Sequence, residues 1–270
     1  MIDLFGSEGL AAMEALSRRR VLYAFDFDGT LAPIVAVPDD ARAAPSTVAL
    51  LSTLGALVPT VLITGRGVDD LRQRIAFTPL HLIGNHGAEG MPDTLRHSLA
   101  ASVSAHSGDE AHRDIVVTWL AQWPAAIAAS GATDGIVVEP KRYSLSIHYR
   151  QADDHDAAMR AITSAIGSLE PPPRIIGGKC VFNLLPEGAP DKGTALRTLV
   201  QYEGCEAAFF VGDDLTDEAA FQNAPSGWIT VRVGRDEASA ARYFIGEQVD
   251  IDHCLARLIA NAEAAPRIPR

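Results

Sequence analysis

The stretch Phe25–Leu31 reads Phe-Asp-Phe-Asp-Gly-Thr-Leu and directly follows the apolar run Val21–Ala24. An apolar run of this kind predicts a buried strand, so Asp26 and Asp28 follow the strand's carboxyl end. Ligands bind at this end of the strands in an open α/β sheet, and buried acids are costly unless a cation or hydrogen bonds satisfy them. The stretch therefore predicts a parallel α/β sheet with a metal-assisted phosphate site; the alternative is an ordinary Asp-rich turn.

Phosphate chemistry gives each polar residue of this stretch a role. Asp26 is the candidate nucleophile, which takes up a phosphoryl group as an aspartyl phosphate. Asp28, two residues later, is the candidate general acid and then general base. Gly29 allows a sharp turn, and Thr30 offers a hydroxyl and an amide to the phosphate.

Two later strands are also followed by polar residues. The apolar strand Val58–Ile63 runs into Thr64-Gly65-Arg66, and the strand Ala207–Val211 runs into the acidic loop Gly212–Glu218. Because the carboxyl ends of parallel strands share one edge of a sheet, we expect these side chains to lie near Asp26.

A helix is predicted to begin at Asp191, its N-cap, and to end before Gly204. Lys192 lies in the first turn of this helix. An ammonium there opposes the helix dipole, so the position does not favour stability, but it suits the neutralisation of a phosphate or of an aspartate nucleophile. The alternative is a plain surface lysine.

These four segments, in this order, resemble the motifs of phosphatases of the haloacid-dehalogenase-like (HAD) hydrolase superfamily. The resemblance implies an α/β fold with a Rossmann-like parallel-sheet core and a catalytic role for the Thr64 hydroxyl, which would hydrogen-bond the transferring phosphoryl group. The predicted catalytic residues are then Asp26, Asp28, Thr64 and Lys192.

The resemblance also implies that the acidic loop helps to bind magnesium. Mg²⁺ prefers octahedral oxygen ligation and retains several waters, so an Asp26 oxygen, the Asp28 main-chain carbonyl and Asp213 form a plausible ligand set. We predict Mg²⁺ as the cofactor, with Asp214 as a further member of the site. Whether Asp214 or Asp217 assists the metal stays open.

The alternation of strands and helices breaks between the second and third motifs. The segment Met91–Asp109 reads as a connection, and a helix is predicted at 110–129. Strand-like stretches at 135–150 and 174–185 flank a further helix. This α/β insert resembles the large, C2-type cap of the superfamily, which predicts a core of residues 1–107 and 185–270 and a cap of residues 108–184.

Within the superfamily, the resemblance narrows to the trehalose-6-phosphate phosphatases. It rests on the opening motif, the run Gly84–Glu89, the cap stretch from Val138 to Arg150 and the loop Gly212–Glu218. The implied reaction is the hydrolysis of trehalose 6-phosphate to trehalose and phosphate. The residues implied to bind substrate are Arg66, Asn85 and His86 on core loops and Glu139, Lys141 and Asn183 on the cap; His86 could also be a loop residue without a function.

Asn183 departs from the family pattern, which has a Glu at this position, and Leu185 stands where a basic residue is common. Asn keeps hydrogen-bonding capacity but loses charge and reach, so the contact with the sugar changes. Two alternatives therefore stay open. The chain could hydrolyse another sugar phosphate or phosphoglycerate, or it could be a non-catalytic subunit that binds sugar phosphates and regulates a synthase.

Composition excludes some partners. The 270-residue chain has a formal net charge of −11, and Arg18–Arg20 is its main basic cluster, so we expect no nucleic-acid or anionic-membrane partner. Three widely spaced cysteines suit reduced thiols, and we expect neither a signal segment nor a membrane-spanning helix. We expect a cytoplasmic enzyme with trehalose 6-phosphate as its small-molecule substrate. Functional coupling to a trehalose-phosphate synthase stays open.

Overall fold

The computed structural model describes residues 1–35, 37–92, 109–131 and 134–265. Contacts divide the chain into two compact units. The core unit comprises Met1–Met91 and Pro190–Arg270, and the cap unit comprises Pro92–Ala189. The predicted bounds of 1–107, 108–184 and 185–270 stay a prediction, and residues 107 and 108 lie outside the described ranges.

The described residues form eleven strands and eight α-helices. The strands are β1 (Ile2–Asp3), β2 (Val21–Phe25), β3 (Thr60–Ile63), β4 (His81–Ile83), β5 (Val137–Pro140), β6 (Leu145–His148), β7 (Arg174–Gly178), β8 (Val181–Leu185), β9 (Ala207–Gly212), β10 (Ile229–Val233) and β11 (Tyr243–Ile245). The helices are α1 (Ser7–Ser17), α2 (Pro45–Leu57), α3 (Val68–Arg72), α4 (Asp109–Ser130), α5 (His155–Ile166), α6 (Lys192–Tyr202), α7 (Glu218–Gln222) and α8 (Ile251–Ala264).

The core unit contains a seven-stranded parallel sheet in the order β1-β11-β10-β9-β2-β3-β4. Strands β2 and β9 are central neighbours, and every residue of both is buried. Burial on both faces explains why these strands read as continuous apolar runs rather than alternating ones. Phe25 pairs with Val211 and with Leu62, so three strands end side by side.

Helices cover the sheet because apolar side chains project from both of its faces. One cluster joins Tyr23, Phe25 and Phe209 to buried residues of α1, α2 and α8. Phe210, which alternation points to the other face, packs against Phe221 of α7 with ring centroids 5.7 Å apart. Helix α7 in turn packs on α6.

The cap unit contains a four-stranded antiparallel sheet in the order β5-β6-β8-β7. Helices α4 and α5 pack together, and their apolar faces share a cluster with Leu145, Ile147 and Leu184 of the sheet. Each of the two predicted strand-like stretches contains a pair of antiparallel strands. The predicted α/β insert is therefore confirmed.

The helices predicted at 110–129 and after Asp191 are confirmed as α4, which contains Pro124, and α6. A further helix, α8, follows β11. The alternation of strands and helices also predicts a helix at 68–77, but α3 is shorter and ends at Arg72. The Leu71 carbonyl accepts hydrogen bonds from both the Arg74 and Ile75 amides in the turn that follows. Most of the predicted connection at Met91–Asp109 lies outside the described residues. In the part of the chain that the structure describes, no helix has the length and apolarity to traverse a lipid bilayer.

Candidate active site

The carboxylate of Asp26 lies at the centre of the core sheet's carboxyl edge. Its amide donates to the carbonyl of Val211 at 2.9 Å, which continues the β2–β9 ladder by one residue. The residue is buried, and Lys192 Nζ lies 2.9 Å from Asp26 Oδ1. The two predicted catalytic residues, 166 positions apart in the chain, are thus an ion pair.

Helix α6 places Lys192 at this point. Asp191 caps the helix as predicted, since its Oδ1 accepts from the Thr194 amide at 2.8 Å. Lys192 is 1% exposed, which rules out the plain surface lysine. Burial disfavours its charged form, but Asp217 and Asp26 outweigh burial and raise the pKa of the Lys192 ammonium. Lys192 is therefore a permanent cation within this site.

Asp217 connects the acidic loop to Lys192. Its Oδ1 accepts from Lys192 Nζ at 2.7 Å, and its Oδ2 accepts from the amides of Asp213 and Asp214, each at 3.0 Å. A Cβ on Gly212 would lie 2.2 Å from the Asp217 carboxyl carbon, so only glycine fits there. Asp217 therefore fixes both the lysine and the loop.

The acids of the cluster suit a divalent cation. Asp26, Asp213 and Asp217 are all buried, and one oxygen from each lies within 4.8 Å of the others. Burial first, and then Asp217 and Asp213, raise the pKa of Asp26 well above its usual range, although Lys192 opposes the shift. Lys192 contacts two of these three buried carboxylates, those of Asp26 and Asp217. An all-oxygen, anionic donor set of this kind fits Mg²⁺.

The other two residues of the predicted metal site have different surroundings. Asp214 is the N-cap of the short helical turn Leu215–Asp217, and its main-chain carbonyl accepts from the Asp217 amide at 3.0 Å. The carboxylate of Asp28 is held by Arg66, whose Nε and Nη2 donate to its two oxygens at 2.6 and 2.7 Å. The candidate general acid is thus fixed by a bidentate arginine.

Thr64 and His86 belong to two interlocked loops. The Thr64 carbonyl accepts from the His86 amide at 2.9 Å, and the Arg66 carbonyl accepts from the Asn85 amide at 2.8 Å. Asn85 and His86 both have left-handed backbone, with φ of 48° and 57°. A Cβ on Gly65 would lie 2.5 Å from His86 Cε1, so the imidazole packs directly on this glycine.

Glu89, which is not among the predicted site residues, supports these loops. Its Oε2 accepts from Asn85 Nδ2 at 2.6 Å and from the Val68 amide at 3.0 Å. Asp70 and Arg74 were also missed, although Arg66, Asp70 and Arg74 follow one another at four-residue spacing. That spacing places charges of alternating sign on neighbouring turns and was a usable signal.

The predicted cap residues lie in the other unit, where Glu139 and Asn183 share one face of the sheet and Lys141 follows β5. Glu139 is directly opposite Ser146, and Ser146 is opposite Asn183. Ser146 Oγ and Asn183 Oδ1 are 2.7 Å apart and buried. Glu139 Oε2 lies 2.8 Å from His148 Nε2 and 3.6 Å from Lys141 Nζ. The face thus combines donors and acceptors.

A family model described as trehalose-phosphatase matches residues 24–245, which include every predicted site residue. The chain belongs to the trehalose-phosphatase family. The match begins one residue before β2 ends and finishes at the last residue of β11, so it spans both units.

Curated relatives agree with the family. The chain is 33% identical over 229 residues to a trehalose-phosphate phosphatase of Mycolicibacterium paratuberculosis. The aligned region covers 82% of this chain and 54% of the relative. It is 30% identical over 266 residues to that of Mycobacterium marinum, which covers 94% of this chain and 65% of the relative. The chain thus spans between half and two thirds of the length of these relatives.

Solved structures confirm the fold class. The C-terminal domain of a trehalose-6-phosphate phosphatase from C. albicans superposes with a TM-score of 0.72 at 22% identity, covering 93% of this chain and 96% of that one. A sucrose-phosphatase from Synechocystis sp. PCC6803 gives a TM-score of 0.55 at 17% identity, covering 89% and 98%. The predicted Rossmann-like HAD core with an inserted α/β cap is therefore correct.

Proposed function

We propose that this trehalose-phosphatase family member is a magnesium-dependent phosphatase that hydrolyses trehalose 6-phosphate to trehalose and phosphate. The main observation that supports this proposal is the buried ion pair of Asp26 and Lys192, which lies beside two further carboxylates. A buried cation held against a carboxylate at the sheet's ligand-binding edge suits attack on a phosphate dianion. The family match supports trehalose 6-phosphate as the substrate.

In the first step, a carboxylate oxygen of Asp26 forms a bond to phosphorus and the bond from phosphorus to the sugar oxygen breaks. Asp28 gives its proton to the leaving oxygen, so trehalose departs as a neutral alcohol. Asp26 then carries the phosphoryl group as an aspartyl phosphate. The Thr64 hydroxyl hydrogen-bonds the transferring group.

In the second step, Asp28 takes a proton from water, and the water oxygen forms a bond to phosphorus. The bond between phosphorus and the Asp26 oxygen breaks, which restores the carboxylate and releases inorganic phosphate. Lys192 stabilises the negative charge on the equatorial oxygens in both steps, and Asp217 holds Lys192 in place.

Mg²⁺, when bound, would neutralise phosphate charge and allow the nucleophile to approach a dianion. We assign its binding to Asp26, the Asp28 carbonyl and Asp213, with Asp214 as an outer member. Asp217 belongs to the same buried cluster, but both of its oxygens already serve Lys192 and the loop amides. We therefore rank Asp217 as a support for the site rather than a ligand.

Substrate selection is assigned to the cap residues Glu139, Lys141 and Asn183 and to the core residues Arg66, Asn85 and His86. Paired donors and acceptors, such as Glu139 beside Lys141, suit sugar hydroxyls. We further propose a cytoplasmic enzyme without a nucleic-acid or membrane partner, because the net charge is acidic and the cysteines are free thiols. Functional coupling to a trehalose-phosphate synthase would follow from the proposed substrate.

Asn183 supports one alternative within the same chemistry, a different sugar phosphate or phosphoglycerate. Its Oδ1 is already hydrogen-bonded to Ser146, so its contact with a sugar differs from that of a free carboxylate. A purely regulatory sugar-phosphate-binding role is less favoured, because a binding module does not need a nucleophile paired with a buried lysine.

The test is phosphate release by the purified protein, with and without Mg²⁺, on trehalose 6-phosphate beside a panel of other phosphomonoesters. We expect a strong magnesium-dependent preference for trehalose 6-phosphate, abolished by Asp26→Asn with the fold intact. Preference for another ester would place the error in the cap. Near-normal turnover by Asp26→Asn would overturn the mechanism, and no release from any ester would favour the regulatory role.

A further inference from the structure

Arg66 is the centre of a line of alternating charges that leads away from the candidate acid. Its Nε and Nη2 bind the Asp28 carboxylate, while its Nη1 donates to Asp70 Oδ2 at 2.9 Å. The guanidinium also lies 5.8 Å from the centre of the Phe27 ring, and the side chain is only 12% exposed. Arg66 is therefore held from several directions.

Asp70 is held in turn by Arg74. Nε of Arg74 donates to both carboxylate oxygens at 2.9 Å, and its Nη2 makes a further short contact with Oδ1. Arg74 is 6% exposed and is anchored at its far side, where it binds the Asp39 carboxylate at 2.9 Å and the Asp39 carbonyl at 2.6 Å. The line Asp28–Arg66–Asp70–Arg74–Asp39 thus ends at a residue that binds Arg74 through its main-chain carbonyl as well as its side chain.

We propose that Asp70 is a positioning residue, which fixes the carboxylate of Asp28 by holding Arg66 in its bidentate geometry. An arginine side chain has several rotatable bonds, and its fork is useful only when its plane is fixed. Asp70 fixes that plane from the side opposite Asp28. The inference rests on the proposed function, because that function makes Asp28 the general acid and base.

The same helix offers a matched control. Asp69 and Arg72 form a pair at 3.1 Å, but their side chains are 87% and 65% exposed. An exposed pair of this kind contributes little to structure. Asp69→Asn therefore makes the same chemical change, one residue away, without touching the line of charges.

The kinetic test measures single and multiple turnover of trehalose 6-phosphate with Mg²⁺. We expect Asp70→Asn to lower kcat about tenfold or more, because the acid is misplaced but still present, and to raise KM by a smaller factor, because Arg66 is also assigned to substrate binding. Asp69→Asn should match the parent, and Asp70→Glu, which keeps the charge, should restore part of the loss. Unchanged kcat in Asp70→Asn would overturn the proposal.

A double-mutant cycle separates positioning from a general structural effect. In a chain that already carries Asp28→Asn, the acid is gone, so adding Asp70→Asn should reduce the residual single-turnover rate no further. An equal loss in both backgrounds would show that Asp70 acts on the structure at large and would overturn the proposal.

A spectroscopic measurement decides the point without catalysis. The Nε–H resonance of Arg66, assigned by its disappearance in Arg66→Lys, reports the bond to Asp28. We expect this signal to shift or exchange faster in Asp70→Asn but not in Asp69→Asn. An unchanged signal overturns the proposal even if trehalose 6-phosphate is hydrolysed; a shifted signal supports it even if the proposed substrate is wrong.

Discussion

Lys192 Nζ lies between two carboxylates, 2.9 Å from Asp26 Oδ1 and 2.7 Å from Asp217 Oδ1, and all three side chains are buried. A single helix position therefore serves the nucleophile and the loop that shapes the acidic cluster. The arrangement explains why a lysine occurs where the helix dipole disfavours it. The ammonium of Lys192 is stabilised by the neighbouring carboxylates and not by the helix dipole.

Lys192→Met should abolish most activity, because Asp26 and Asp217 lose the ammonium that they share and the transition state loses a charge partner. We expect kcat to fall by about 100-fold or more. Free energy of unfolding in the absence of Mg²⁺ should also decrease, by about 3 kcal/mol, since breaking a buried pair leaves uncompensated charge. Phosphate release and urea unfolding measure the two effects, and a stable variant with parental kcat would contradict the assignment.

Gly29→Ala should eliminate turnover through a steric effect on the metal site. A Cβ on Gly29 would lie 2.1 Å from Asp213 Oδ2, and the residue has φ of +81°. Gly234→Ala is the matched control, since Gly234 has φ of +80° but no atom within 4 Å of the added Cβ. Both variants should lose about 1 kcal/mol of stability from backbone strain, but only Gly29→Ala should lose Mg²⁺-dependent activity.

Asp217→Asn should reduce activity by more than the variant's loss of stability would cause. The Asp217 carboxylate now accepts hydrogen bonds from Lys192 with one oxygen and from the Asp213 and Asp214 main-chain amides with the other. An asparagine side chain would turn its NH₂ group, a donor, toward one of these donors. Asp250→Asn is a suitable comparison, because the partly buried Asp250 accepts from the Glu247 amide at 2.9 Å in an equivalent backbone cap away from the acidic cluster. We expect kcat to fall at least about tenfold in the first variant and to stay unchanged in the second. Equal kcat values in the two variants would show that Asp217 acts only as a helix-capping residue.

Cys254 gives a prediction for alkaline pH. Burial raises the pKa of its thiol from 9.0 to about 12, so folding favours the neutral thiol. This contribution is complete below pH 9 and is lost as pH rises toward 12, because the unfolded chain ionises first. The alkaline fall in unfolding free energy should therefore be shallower in Cys254→Ala than in the parent. A thiol reagent should modify the partly exposed Cys180 in the folded protein, and Cys254 only after unfolding.

Local pattern in the sequence determined much of this protein. Apolar runs ending in acids or in a threonine identified β2, β3 and β9, because a strand buried on both faces has no polar position until it ends. N-cap chemistry placed the start of α6 and hence Lys192. Both signals depend only on neighbours along the chain, so the fold class and the motif residues could be predicted.

Only the tertiary structure decided which side chains meet. Asp26 and Asp217 share Lys192 because β2 lies beside β9, although about 180 residues separate these strands. Strand order and register depend on the packing of the whole sheet, and no local pattern encodes them. For the same reason, the sequence indicated charges at Arg66, Asp70 and Arg74 but not that their line begins at Asp28. Periodicity along the chain determines which side chains each helix or strand exposes on each face. Packing determines which other elements those side chains contact.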